Sequence, residues 1–238
     1  MEPLGALGVV LFGDVVRSRG RPRKASDWLE RLATDLDRVY GDQALARFEF
    51  TQGDELQGLL RPDADPFIAV LHAMLRPSSE APGMRWAVVA GAVLPGRGPA
   101  TRRTGPAFVT ARVTIDLARR QRDDLLMLTG DPDADELLSG TAPVLASLLV
   151  RLTDRQREVA RLSLLDGLRQ SEIAEQLRVA RATISVASTR ADVRSLARLL
   201  ATGRRIWSQG LARLAVDTGE LAGRAEWTPE AASSAGAH

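Results

Sequence analysis

Residues 48–60 read FEFTQGDELQGLL. Phe48 and Phe50 on one side, and Leu56, Leu59 and Leu60 on the other, flank a Gly-Asp pair. That is the composition of two short strands folded about a turn, with Asp54 and Glu55 at the bend. Working outward toward the N-terminus, residues 8–16 (GVVLFGDVV) form an apolar run too short to cross a bilayer and bounded by turn chemistry. This reads as a buried strand that ends in Asp14. Two aspartates, each at the end of an apolar strand, are a pair that a hard divalent cation holds together.

The segments around these strands alternate in period. Residues 25–40 place Trp28, Leu29, Leu32, Leu36 and Val39 at helical spacing, and Gly41 ends that helix. Residues 63–75 read as a second helix between Pro62 and Pro77, residues 84–94 as a strand interrupted by Gly91, residues 105–121 as a third helix and residues 124–128 as a last strand. A glycine inside that strand implies that a ligand or another backbone passes close by. The order β-α-β-β-α-β-α-β predicts an α/β (α+β) sheet of ferredoxin-like type with helices on one face, followed by an all-α domain. The expected division is an α/β domain over 1–130, a linker helix over 131–150, a helical domain over 151–216 and a flexible tail over 217–238.

Composition limits the chemistry. The 238 residues include no cysteine and two histidines, His72 and His238. A metal site must therefore use oxygen ligands, which favours magnesium or manganese over zinc. His72, among apolar neighbours, reads as structural. No apolar run is long enough to span a membrane and no targeting segment is expected, so the expected compartment is the cytoplasm. The formal charge is only +2, but Arg178, Arg181, Arg190, Arg194, Arg198, Arg204 and Arg205 crowd into one stretch with a single acid, Asp192. A polyanion would feel that excess.

From residue 141 onward the pattern is helical throughout. Thr153 and Gln156 form a capping box opening a helix over 154–165; a short helix follows over 170–177 and a longer one over 182–201, with a further helix over 204–216. A dimerisation bundle is one use of such helices. A helix-turn-helix needs a small residue where its two helices touch and apolar residues at set intervals on either side. Ala174 supplies the first; Ile173, Leu177, Val179, Ile184 and Ala187 supply the rest. The run LTDRQREVARLSLLDGLRQSEIAEQLRVARATISV resembles the helix-turn-helix of LuxR-type regulators and of sigma-factor region four, over roughly residues 152–200. It departs from them at the turn, where Arg178 replaces the usual glycine and Ala180 the usual serine cap. The resemblance implies DNA as partner. Arg181 is then the candidate guanine contact, Ser185 and Thr189 reach bases or phosphate, and Arg178, Arg190 and Arg194 clamp phosphates.

A second resemblance rests on four stretches in order: GDVVRSR (13–19), TQGDELQG (51–58), RWAVVAG (85–91) and GPAFVTAR (105–112). Together they resemble the SatD family, itself similar to the class III nucleotidyl cyclase catalytic domain, over roughly residues 7–128. The resemblance places Asp14 and Asp54, with Glu55 as a possible third ligand, on the metal positions. It places Gly91 on the strand facing a nucleotide, and Arg17, Ser18, Arg19, Gly53 and Arg112 near its phosphates. It departs from cyclases on the third helix, where Val109 and Val113 stand at the asparagine and arginine positions, and at Phe50, the base-selecting position. Losing one group aimed at transition-state charge commonly costs a hundredfold in rate or more, so ordinary cyclase chemistry is not expected.

The combined expectation is a DNA-binding transcriptional regulator, acting as a homodimer, whose cyclase-like domain holds magnesium or manganese and a nucleotide or other phosphorylated ligand. The alternative is a magnesium-dependent nucleotidyl cyclase or transferase that uses its helical part for assembly.

Overall fold

The structure, a computed structural model, describes residues 5–16, 22–51, 54–79 and 81–225. Five strands form one sheet: β1 (Ala6–Val15), β2 (Ala44–Phe50), β3 (Glu55–Leu60), β4 (Met84–Val93) and β5 (Leu125–Leu128), in the order β2-β3-β1-β4-β5. β1 is antiparallel to both β3 and β4, β2 is antiparallel to β3, and only β4 and β5 run parallel. With α1 (Pro22–Tyr40) joining β1 to β2 and α2 (Phe67–Met74) joining β3 to β4, the first four strands make the split β-α-β-β-α-β arrangement. α3 (Pro106–Gln121) then carries the chain to β5.

Both faces of the sheet are covered, which corrects the expectation of helices on one face. Val9, Leu11 and Val15 of β1, with Trp86, Val88 and Ala90 of β4, point into a core shared with α1, α2, α4 (Pro132–Val150) and α8 (Val193–Ala225). The alternate residues Val10, Phe12, Ala87, Val89 and Val93 pack instead on Ala107, Phe108, Ala111 and Ile115 of α3. A strand that is apolar at every position cannot leave either face in water, and GVVLF is such a strand. Gly91 marks the closest approach of α3: a Cβ there would lie 3.3 Å from the Cβ of Ala107. The passing backbone is therefore a helix of the same chain.

The helical half is joined closely to this body. Residues 131–150, expected as a linker, are α4, whose inner residues Ala134, Leu138, Ala142, Leu145, Ala146 and Leu149 lie in the main core. α5 (Asp154–Leu164), α6 (Gln170–Gln176) and α7 (Arg181–Arg190) follow, and the Thr153 capping box opens α5 as expected. Val159, Leu162, Ile173, Ala174, Ile184 and Ala187 form a small core of their own, with Leu177 and Val179 packed against it.

The helix expected over 182–201 is interrupted. Asp192 takes a positive φ of 47° after α7, and its carbonyl accepts the Leu196 N–H at 3.0 Å to start the next helix. That next helix, α8, runs without a break through the segment expected as a separate helix over 204–216. Gly203 lies against the ring of Phe67, Gly210 against Thr129 and Ala134, and Arg204 binds Asp65 at 2.6 Å. No described helix is long and apolar enough to cross a membrane.

Candidate functional site

Alternation along β1 puts Asp14 on the same side as Val10 and Phe12, beneath α3. Register then selects its neighbour. The residue opposite Asp14 on β3 is Glu55, whereas Asp54 stands one step earlier at the bend, where its carbonyl accepts the Val15 N–H at 2.9 Å. Asp14 and Glu55 are 5% and 6% exposed, so each needs a counter-charge.

Both counter-charges come from α3. Arg119 binds Asp14 through two nitrogens, at 2.8 and 3.0 Å, and Arg85 of β4 adds a third at 3.7 Å. Arg112, one heptad before Arg119 and so on the same helix face, binds Glu55 through both of its terminal nitrogens. Its guanidinium also lies 4.7 Å from the ring centroid of Phe12, and Gln57 donates to Glu55 at 2.8 Å. The hydrogen bond to Asp14 pushes the Arg119 guanidinium further above its ordinary pKa, so that group stays charged. Asp116 completes the set with a 2.9 Å bond to Arg119, giving three acids and three arginines.

A cation placed between Asp14 and Glu55 would meet guanidinium groups already seated on its ligands. The donor set as arranged does not fit magnesium or manganese, and among the described residues no group of three or more histidines or acids is placed to hold a metal ion. Arg112, expected near phosphates, is engaged by Glu55. Arg17, Ser18, Arg19 and Gly53 lie outside the described residues. Val109 and Val113, at the positions where the resemblance expects asparagine and arginine, are 67% and 59% exposed on the outer face of α3. Arg119 was not singled out in the sequence; its heptad spacing from Arg112 was the available signal.

The second group of candidates surrounds the turn between α6 and α7. Arg178 adopts φ 52°, the conformation usually left to glycine. Around it the Val179 N–H bonds the Ala174 carbonyl at 3.0 Å and the Arg178 N–H bonds that of Glu175 at 3.1 Å, the two bonds of a Schellman stop. Ala180 begins α7 with no side-chain cap. Arg181, Ser185 and Thr189 fall on one exposed face of α7, and Arg178, Arg190 and Arg194 are exposed beside it. Among the described residues none of these four arginines is paired with a carboxylate, whereas Arg76, Arg85, Arg112, Arg119, Arg204 and Arg213 all are.

No family model matches this chain, and no curated protein matches it. Among solved structures a bacterial light-regulated adenylyl cyclase is similar at TM-score 0.39 and 14% identity, over 52% of this chain and 77% of that one. Fold and candidate sites together define a mixed α/β protein with a five-stranded sheet, an internally neutralised acid–arginine cluster and an arginine-rich helical extension.

Proposed function

We propose that this chain is a DNA-binding regulator in which α6 and α7 act as a helix-turn-helix and α7 enters the major groove. The observation that carries this reading is the clustering of Arg178, Arg181, Arg190 and Arg194, all exposed and, among the described residues, without a carboxylate partner, on and beside one face of α7. Clustered like charges repel one another, and phosphates relieve that repulsion while releasing counterions. Arg181, at the first position of α7, is the side chain that reads a base edge; Ser185 and Thr189 lie one and two turns further on. Paired half-sites call for two copies of the chain.

The α/β body, whose four motifs resemble the SatD family, serves in this reading as a non-catalytic support. Its two buried acids are occupied by arginines, and valines stand where a cyclase would stabilise transferred phosphate.

The test is a mobility shift on random duplex DNA at several salt concentrations. With Arg178, Arg190 and Arg194 on phosphates, log K should fall against log salt with a slope of about −3 per chain. Arg181→Ala should weaken binding, and Asp14→Ala, checked for folding by circular dichroism, should not. Absence of binding at low salt, together with nucleoside triphosphate turnover that Asp14→Ala abolishes, would replace this reading with the enzymatic one.

A further inference from the structure

α4 is apolar on two sides. Its inner side lies in the core, but Leu137, Val144 and Leu148 on the other side are 56%, 51% and 39% exposed, with Gly140 between them. These four positions recur at three- and four-residue steps and so form one continuous stripe. Residues 137–150 (LLSGTAPVLASLLV) contain no charged side chain, in a chain that is 26% charged. A Cβ added at Gly140 would meet nothing within 4 Å, so the stripe has an open notch at its middle.

Charges flank the stripe with opposite sign. Asp133 and Glu136 stand at its N-terminal end and Arg151, exposed and unpaired among the described residues, at its C-terminal end. Asp133 shares Arg213 at 3.3 Å but its side chain is 84% exposed. Asp133 and Arg151 are equally far from Ala142 on either side, as are Gly140 and Val144, and Leu137 and Leu148 are nearly so. A helix with this symmetry matches its own reversed copy.

We infer that α4 is the interface between two copies of this chain, packed antiparallel through its outer stripe about a two-fold axis level with Ala142. In that arrangement Val144 of the partner subunit fills the notch at Gly140, Leu137 meets Leu148 of the partner subunit, and Arg151 lies between Asp133 and Glu136 of the partner subunit. Every contact is made twice, as an isologous interface requires. The glycine lets the helix axes approach to about 8 Å, the near limit for helix pairs.

The exposed stripe Val109, Val113 and Leu117 on α3 lacks this symmetry. Its helix ends in Arg119 and Arg120 but has no acid in its first turn, so a reversed copy leaves those arginines unmatched. Pairing of the chain is part of the DNA-binding reading above, and the surface is what is added here. A monomer that binds DNA would refute the pairing alone; a dimer that ignores DNA would refute the regulator alone.

Analytical ultracentrifugation of the full chain tests the interface. The wild-type protein should be a dimer, and Val144→Arg should raise the dimer dissociation constant by about thirty-fold or more, the effect of losing a central anchor. Glu136→Arg and Arg151→Glu should each weaken the dimer, and the double reversal should restore it. Because the chain has no cysteine, Gly140→Cys combined with Val144→Cys should give a disulfide-linked dimer on mild oxidation, and Val113→Cys should not. A monomer at every concentration, a dimer indifferent to Val144→Arg, or cross-linking through Val113→Cys would overturn the assignment.

Discussion

Replacing Arg178 by glycine should stabilise the protein while weakening its hold on DNA. At φ 52° an L-residue carries a cost of about 1–2 kcal/mol that glycine does not. Glycine gives back about 0.5–1 kcal/mol through the greater freedom of the unfolded chain. The Schellman hydrogen bonds are made by backbone atoms and survive, and among the described residues the exposed guanidinium has no partner to lose. The net gain is about 0.5–1 kcal/mol, or a rise of about 1–4 °C in Tm for a chain of this size. Urea denaturation should show a higher midpoint with the slope unchanged.

The same substitution removes one phosphate contact, so the salt slope of DNA binding should shrink by about 0.9. Arg178→Ala separates the two effects, since it loses the contact and keeps the strain. A lower denaturation midpoint for Arg178→Gly would refute the account of the turn, and an unchanged salt slope would refute the account of the side chain.

A methyl group at Gly58 would penetrate the ring of Phe48, which is itself buried and stacked on Tyr40 at 5.8 Å; Gly58→Ala should therefore cost about 1–3 kcal/mol in thermal denaturation, and a neutral result would mean the ring is free to move. Arg119→Met leaves Asp14 buried with only Arg85 at 3.7 Å. Breaking a buried pair costs about 3–5 kcal/mol, and since Arg119 is 41% exposed the expected loss is nearer 2 kcal/mol, read from urea denaturation; a loss below about 0.5 kcal/mol would show Asp14 adequately served by Arg85. Burial holds the pKa of His72 below its ordinary 6.5, reinforced by Arg76 and Arg161 and opposed by Asp35 and Asp166. The unfolded chain therefore takes up a proton first as pH falls, so stability present above pH 6.5 should be lost as pH drops toward the folded pKa and then level off. His72→Gln should abolish that part of the pH dependence of Tm, and a variant with the wild-type profile would exclude His72 as its source.

The order of strands and helices was legible because each segment carries its own period and its own stops: the helical spacing from Trp28 to Val39, the Gly-Asp turn before Glu55, the prolines Pro62 and Pro77 on either side of the second helix. Two-sided burial was also written in residues 8–12, where no polar residue alternates with Val9, Val10, Leu11 and Phe12, yet it is easily missed when strands are counted and their faces are not. Which acid stands opposite Asp14 was beyond reach. With a side-chain period of two, a shift of one residue at the bend exchanges Asp54 for Glu55, and the composition of the turn allows either. The partners of those acids were hidden for another reason. In a chain with 32 basic residues, only their heptad spacing sets Arg112 and Arg119, which turn inward, apart from Arg120, which does not. The helical stop at Asp192 was obscured because an aspartate that ends one helix and begins the next has no counterpart in residue frequencies alone.

α8 has a mechanical implication. Thirty-three residues long, and so about 50 Å from end to end, it leaves the α5–α7 unit and continues through the core beneath the sheet, anchored by Leu196, Leu200, Trp207 and Leu211. A rod clamped at this many points has no joint at which the two halves can swivel. Limited proteolysis should accordingly fail to release a compact N-terminal fragment, and removing the chain beyond residue 200 should leave the sheet with an uncovered apolar wall and drive it into aggregates.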